Sequence, residues 1–349
     1  MDVRKAAEAA RDYLVSIRRE FHQHPELSMQ EFRTAQRIEE ELDRLGIPHT
    51  RVGETGVLGT LRGEKEGGRA VVLRADIDAL PIEETHECAY RSQNPGVMHA
   101  CGHDAHAACL LGGAERVFGL HTAHDLRSGT VGLKPGLNNA AVDHFRIEVH
   151  GKSTHVSTPH LGTDALYIAS QIVVAVQGLV TRMTSPTEPV IIGIGCLNAG
   201  TTYNAVAEHA VMEGTTRTVS QESRDRIRRL VSETADSIAA IYGGTAEIVW
   251  TDFAAALIND AEVCREAAAV ADSLLGEGHV VTDRELSLSG DNFAEFELYR
   301  PGAYAYLGTG NPDKPHTVVS NHNGGFDVDE DALVTGAALY AGYALARLG

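Results

Sequence analysis

The residues best equipped for chemistry lie between Gly96 and His106, in GVMHACGHDAH, which brings Cys101, His99, His103, His106 and Asp104 into one short stretch. Cys101 and His103 are two apart, so an extended or turning backbone aims both side chains the same way. A thiolate and an imidazole converging on one point suit a borderline divalent cation such as zinc, manganese, cobalt or nickel. The competing reading is a buried free cysteine beside solvated loop histidines. Gly96 and Gly102 keep this backbone tight, and more metal-type residues follow downstream, which favours a cation. Ahead of the stretch, RADIDALPI delivers Arg74, Asp76 and Asp78 at the end of an apolar run. In open α/β sheets ligands bind at the carboxyl ends of strands, while turn chemistry is the alternative for two aspartates in such a loop. His121 closes FGLH and is open to being a third ligand or a loop residue.

These residues need a scaffold, and 349 residues suffice for a sizeable core and two domains. Thirty basic against 48 acidic residues give a net charge of −18, which repels phosphate backbones and argues against nucleic acid and anionic membranes as partners. The five scattered cysteines do not form a disulfide pattern. The N-terminus is a charged amphipathic pattern without an apolar signal core, and no later run reads as membrane-spanning. A reducing cytoplasm is the expected compartment.

Hydrophobic spacing predicts a helix over 2–22, ended by His24-Pro25, and a second from an N-cap at Ser28 to Leu45, closed by Gly46. Strands are expected at 57–61 and 70–74, the latter as a buried central strand, then a short helix from Ala107 to Val117. From Phe145 the pattern becomes strand (145–149), helix (163–181), strand (190–196), strand (210–217), helix (221–242) and strand (246–250). This β-α-β-β-α-β order suits a small antiparallel sheet with both helices on one face. Its edge strands offer a surface for pairing with a twin in a dimer. A helix at 261–275, a strand at 303–307, the HNGGF loop and a helix at 329–348 return the chain to the first domain. The expected division is 1–143 and 255–349 for one domain and 144–254 for the other.

Taken together, RREFHQHPELS, VVLRADIDALPI, GVMHACGHDAH, FGLH, the GKSTH-to-TPH segment, NAGTTYNAVAEHA, GTTRT and HNGGFDVDEDAL resemble the metal-dependent amidohydrolases of the aminoacylase and carboxypeptidase clan. The branch is that of hippurate hydrolases, auxin-conjugate hydrolases and N-acetyl-diaminopimelate deacetylases. The resemblance implies an α/β fold: a mixed-sheet catalytic domain with helices on both faces, interrupted by an α+β lid or dimerisation domain. It implies hydrolysis of the amide of an N-acyl or N-aroyl amino acid, or a small conjugate, by a water activated on two divalent metal ions (manganese, zinc, cobalt or nickel). Cys101, His103, His121 and His322 match metal ligands. His155 matches a catalytic lid histidine that reaches a substrate carbonyl, in family dimers from the opposite subunit. Asn204 and Arg217 match positions near the substrate's polar end, where a guanidinium holds a free carboxylate by a bidentate pair. Taken alone, His155 and Arg217 read as a surface histidine and a strand arginine.

One departure stands out. Before FGLH the family carries a strand ending in Gln-Pro-Ala-Glu-Glu, whose glutamates serve as general base and metal ligand, whereas this chain runs LLGGAERVFGLH. Glu115 is the one acid nearby and lacks the strand and proline that would aim it. Gly290-Asp291-Asn292-Phe293 likewise replaces a usual acidic pair before the phenylalanine. A non-catalytic dimeric scaffold that binds ligand is therefore the alternative function, and an exopeptidase of the same clan is a second.

Overall fold

The computed structural model describes residues 2–62, 70–110 and 117–348. In chain order it has α1 (Val3–Ala9), α2 (Arg11–Gln23), α3 (Phe32–Arg44), β1 (His49–Val52), β2 (Gly56–Gly59), β3 (Val72–Arg74), α4 (His103–Cys109), β4 (Val117–Arg127) and β5 (Val131–Gly132). There follow β6 (Gly136–Asn139), β7 (Ala141–His150), α5 (Ala165–Met183), β8 (Ile191–Ala199), β9 (His209–Thr218), α6 (Gln221–Ile241), β10 (Thr245–Ala254) and β11 (Leu257–Asn259). The chain ends with α7 (Ala261–Leu275), β12 (Val280–Val281), α8 (Phe293–Glu297), β13 (Gly302–Gly310) and α9 (Ala332–Leu348). Two compact units result, one of Met1–Gly136, Asn259–Arg284 and Phe296–Gly349, the other of Leu137–Ile258 and Glu285–Glu295.

The first unit holds a mixed five-stranded sheet in the order β12-β5-β13-β4-β3. β4 runs parallel to both β13 and β3, and β13 is antiparallel to β5. Phe118, Leu120, Val131, Ala303 and Ala305 of this sheet pack with Val263 and Ala267 of α7 and Leu339, Tyr340 and Tyr343 of α9 in one core. Among the described residues β3 is shorter than expected and lies at the edge of the sheet, not the centre; Leu73 is nonetheless buried. Three further boundaries differ from the sequence reading. The expected N-terminal helix breaks at Ala10, where the chain turns from packing chiefly on α9 (α1) to packing chiefly on α4 (α2). α3 starts at Phe32, since Leu27 bridges Ala79 and the Glu26 carboxylate, not Ser28, accepts from the Arg33 and Thr34 amides. The helix expected at Ala107 begins earlier, at His103, inside the histidine-rich stretch. Its expected second half, with Glu115, lies outside the described residues.

In the second unit the sheet order is β10-β7-β9-β8, antiparallel throughout. Phe145, Ile147, Val149, Ala210 and Met212 point from one face into a core with Ile168, Ile172 and Val176 of α5 and Ile227, Val231 and Ala235 of α6. Asp143 is buried and held by the Arg224 guanidinium, with Nη2 donating at 2.6 Å. α5 corrects one expectation: its 19 residues are long and apolar enough to cross a membrane. Its apolarity serves two faces here, with Ile168, Ile172 and Val176 in the core and Leu166, Tyr167 and Val174 exposed.

Candidate metal centre

The site forms where β3 and β4 part. Both strands end their ladder near Arg74 opposite Gly119. There Tyr340 of α9 inserts its hydroxyl, donating to the Arg74 carbonyl at 2.7 Å and accepting from the Leu120 amide at 3.0 Å. Beyond this wedge the β3 strand continues as the loop carrying Asp76 and Asp78, and β4 continues to His121. Helix α4 starts in the same crossover because Gly102 adopts a left-handed conformation, φ +81°, at its N-cap. A Cβ there would lie 2.5 Å from Thr122 Oγ1, so the tight approach of the Cys101-Gly102-His103 turn to β4 requires glycine.

Cys101, His103 and His121 offer ligand atoms that all lie within 4.8 Å of one another. Hydrogen bonds to the other ring nitrogens decide which atoms face inward. His121 Nδ1 lies 2.7 Å from the Thr122 carbonyl, so it donates and Nε2 turns to Cys101 Sγ at 3.4 Å. His103 Nδ1 lies 2.9 Å from Asp78 Oδ1, which leaves its Nε2 for the cluster. A carboxylate or carbonyl behind an imidazole fixes tautomer and ring orientation in metal sites. Asn321 donates to Cys101 Sγ at 3.4 Å, and His322, with φ 63°, is tied by its amide to the Ala100 carbonyl at 2.7 Å. Burial alone would raise the Cys101 thiol, but His121, His103 and His322 hold it well below the usual thiol range. The thiolate is the form that binds metals. Burial opposes charge on His121, yet Cys101 carries it up to about 9; His103 is likewise raised, chiefly by Asp76 and Asp78 against burial.

A second grouping, Asp76, His103 and His106, is equally close, but His106 has no nitrogen to spare. Its Nδ1 lies 2.5 Å from Asp76 Oδ1, and its Nε2 accepts the Thr122 amide at 2.8 Å. Burial depresses its pKa, which keeps the ring neutral with one nitrogen donating and the other accepting. His106 is thus a strut for Asp76, whose other oxygen pairs with Arg74 at 3.1 Å. Sequence reasoning noticed Asp76 and Asp78 but gave them no role; it missed Asn321 and the tie of His106.

Behind α4 lies a buried ionic network that the sequence did not announce. Arg18 and His22 of α2 face Asp104, with Arg18 Nε at 2.7 Å and His22 Nδ1 at 2.8 Å from Oδ2. Arg18 also reaches Asp327 at 2.8 Å. The RREFHQH motif therefore anchors the helix that carries His103.

The second-unit residues sit in their own setting. His155 is exposed, with Nδ1 2.7 Å from Ser157 Oγ, and its backbone bridges Ala205. The neighbouring Val156 amide donates to the Asn204 carbonyl at 3.1 Å, which brings His155 and Asn204 together. Arg217 lies apart on β9 and donates to the Leu288 carbonyl, Thr215 Oγ1 and the Thr216 carbonyl at 2.9, 2.5 and 2.8 Å. Asp291 accepts from the Phe293 amide at 2.7 Å.

The fold and this constellation define a two-unit α/β protein with a cluster of cysteine and histidine side chains, close enough to hold a cation, at the carboxyl ends of parallel strands. Residues 72–134 match the peptidase family M20/M25/M40 and residues 141–259 the peptidase dimerisation domain. Thermostable carboxypeptidase 2 of Saccharolobus solfataricus is 35% identical over 375 residues, covering 95% of this chain and 94% of that protein. N-acetyl-L-cysteine deacetylase of Bacillus subtilis is 35% identical, with 92% and 85% covered. Among solved structures, the YXEP protein of Bacillus subtilis, described as a dinuclear metal-binding peptidase, superposes with a TM-score of 0.79 at 30% identity over 97% of this chain and 98% of that one. The chain belongs to this peptidase family, within which it is an amidohydrolase-like enzyme. The match to the carboxypeptidase spans more residues than the 349 of this chain, so that relative has residues without counterparts here.

Proposed function

We propose that this protein hydrolyses the amide bond of N-acyl or N-aroyl amino acids, or related small conjugates, as a divalent-metal enzyme acting in the cytoplasm as a homodimer. The observation that carries the reading is the convergence of Cys101, His103 Nε2 and His121 Nε2, a soft and borderline donor set matched to zinc, manganese, cobalt or nickel. A bound divalent ion supplies Lewis acidity and a water acidic enough to act near neutral pH. The dinuclear description of the YXEP protein supports two ions, with His322 as a further donor beside the first set. The names of the relatives support the substrate class. A carboxypeptidase and an N-acyl amino acid deacylase cut the same bond, an amide whose nitrogen belongs to an amino acid with a free carboxylate. His155 and Asn204, joined through the Ala205 bridge, would meet the substrate's carbonyl and polar end, and Arg217 its carboxylate, once its backbone ties exchange for that partner. The dimerisation-domain match supports the homodimer. Nothing in the comparisons favours the non-catalytic alternative.

The test loads the full chain with manganese or zinc, counts metal per protomer, and follows hydrolysis of hippurate, N-acetyl-L-cysteine and an N-blocked dipeptide. Turnover should require metal, vanish with chelation and return on reloading. Cys101→Ser should lower metal content and turnover together, because a serine hydroxyl is a far weaker ligand; His155→Ala should lower turnover at unchanged metal content. Turnover in metal-stripped protein, or undiminished in Cys101→Ser, would refute the reading.

A further inference from the structure

Upstream of the histidine-rich stretch, Glu84, His86 and Cys88 form a Glu-x-His-x-Cys sequence to which the family resemblance gives no role. They occupy irregular backbone, with Glu84 and His86 buried and Cys88 half-buried. The three offer ligand atoms within 4.8 Å of one another. We infer that Glu84, His86 and Cys88 hold a divalent cation of the zinc type, at a site separate from Cys101, His103 and His121.

Three observations carry this. First, the edge lengths fit: Glu84 Oε1 lies 3.6 Å from Cys88 Sγ and 3.3 Å from His86 Nδ1. A tetrahedral zinc with its usual bonds sets neighbouring donors about 3.3–3.8 Å apart. Second, His86 is 5% exposed, yet neither of its ring nitrogens makes a well-aligned hydrogen bond. Buried polar atoms without partners are rare and call for a cause. Its Nε2 instead lies 3.4 Å from Asp327 Oδ2. With Nδ1 on the cation, Nε2–H would face that carboxylate in the arrangement that typically steadies a metal-bound imidazole. Third, the charges call for a cation. Glu84, Asp104 and Asp327 crowd around Arg18 and His22, while Glu330 engages Arg19. The carboxylates outnumber the cations even with His22 charged. Burial pushes the Cys88 thiol up to about 11, so in the absence of metal it stays protonated and donates towards Glu84. A cation would displace that proton, as coordinated thiols are deprotonated outright.

A cation here would join the loop before α4 to Glu84's partner His22 on α2, and through Asp327 to the segment leading into α9. Its role would be to brace the centre from behind. The competing arrangement is a metal-free His86 ring lying between Glu84 and Asp327.

The experiment uses the zinc-loaded full chain, with metal per protomer counted by atomic emission and the rate of Cys88 alkylation by a maleimide read by peptide mass spectrometry. Wild type should hold one ion more than either His86→Gln or Cys88→Ala, and Cys101→Ala should keep that ion. In the unmodified protein, removing zinc with a chelator should raise Cys88 alkylation severalfold at about pH 9, where the freed thiol begins to ionise and its sulfur is no longer held by a metal. Equal metal content in wild type and both variants overturns the inference. Should the variants fail to fold by circular dichroism, the alkylation arm decides: a rate unchanged by the chelator overturns it.

Discussion

Replacing Arg18 by methionine should be among the most damaging single changes in the first unit, although Arg18 touches no candidate ligand. Its side chain is fully buried. Nε lies 2.7 Å from Asp104, Nη2 lies 2.8 Å from Asp327, and Nη1 lies 3.7 Å from Glu330. Each close pair at an effective dielectric of about 20 is worth about 4 kcal/mol of attraction, much of it spent on desolvation. Methionine preserves the stem's packing but leaves Asp104 and Asp327 buried with His22 as the remaining close cation for Asp104. Breaking a buried pair from one side costs about 3–5 kcal/mol. At a urea slope of about 3 kcal/mol per molar, the midpoint should fall by about 1–1.7 M. Trp250, the one tryptophan, lies on β10 of the second unit, so its fluorescence follows that unit while circular dichroism follows the whole chain. The early transition should appear in circular dichroism. Adding Asp104→Asn should recover part of the loss, because it removes one of the stranded charges. A cost for Arg18→Met below about 1 kcal/mol, the range of an exposed pair, would refute the account.

Two other perturbations test the site and the surface. Asp78→Asn removes the carboxylate behind His103 and should weaken divalent-metal affinity by about 10–100-fold in a chelator competition with the fold intact; unchanged affinity would mean that Asp78 does not orient the ring. Glu41 tests pH dependence: burial pushes its carboxyl up, but hydrogen bonds from Arg44, Tyr13 and Arg37 win and hold it at about 2, below its ordinary 4.5. A depressed acid contributes stability that is complete above the unfolded pKa and is lost as pH falls through the folded one. The shift corresponds to about 3 kcal/mol at full value, discounted to about 1 kcal/mol for a solvent-screened cluster. Wild type should therefore exceed Glu41→Gln by about 1 kcal/mol at about pH 6, with the gap closing towards about pH 2; a pH-independent gap would contradict it.

Much of the second unit is legible in the sequence because its signals are local. Strands such as Phe145 to Val149 alternate, α5 and α6 have clear periodicity, and the resulting β-α-β-β-α-β order is the observed one. The first unit resists where distant partners overrule local pattern. Ser28 with Glu31 reads as a capping box, yet Glu26 takes the helix amides. Ala10 is a good helix former, but α1 packs chiefly on α9 and α2 chiefly on α4. β3 has the apolar run of a central strand and lies at the edge among the described residues, because a run of apolar residues reports burial and not the number of neighbours. The network around Arg18 joins residues 82 and 309 positions apart, a distance no periodicity reaches.

The histidines of GVMHACGHDAH show why a cluster of metal-type residues does not by itself specify ligands. His99 is buried and its pKa falls to about 4 through burial, so it stays neutral within the packing. His106 spends both nitrogens, one on Asp76 and one on the Thr122 amide. His103 alone of these three turns a nitrogen towards Cys101 and His121, since Asp78 takes the other. The same count bears on the carboxylates: Asp76 is bound by Arg74 and His106, and Asp78 by His103. Both described acids of this loop already have a positioning task, so a proton acceptor drawn from either would give up such a tie. The Asp78→Asn variant bears on this as well, because loss of turnover beyond the loss of bound metal would mark Asp78 as that acceptor.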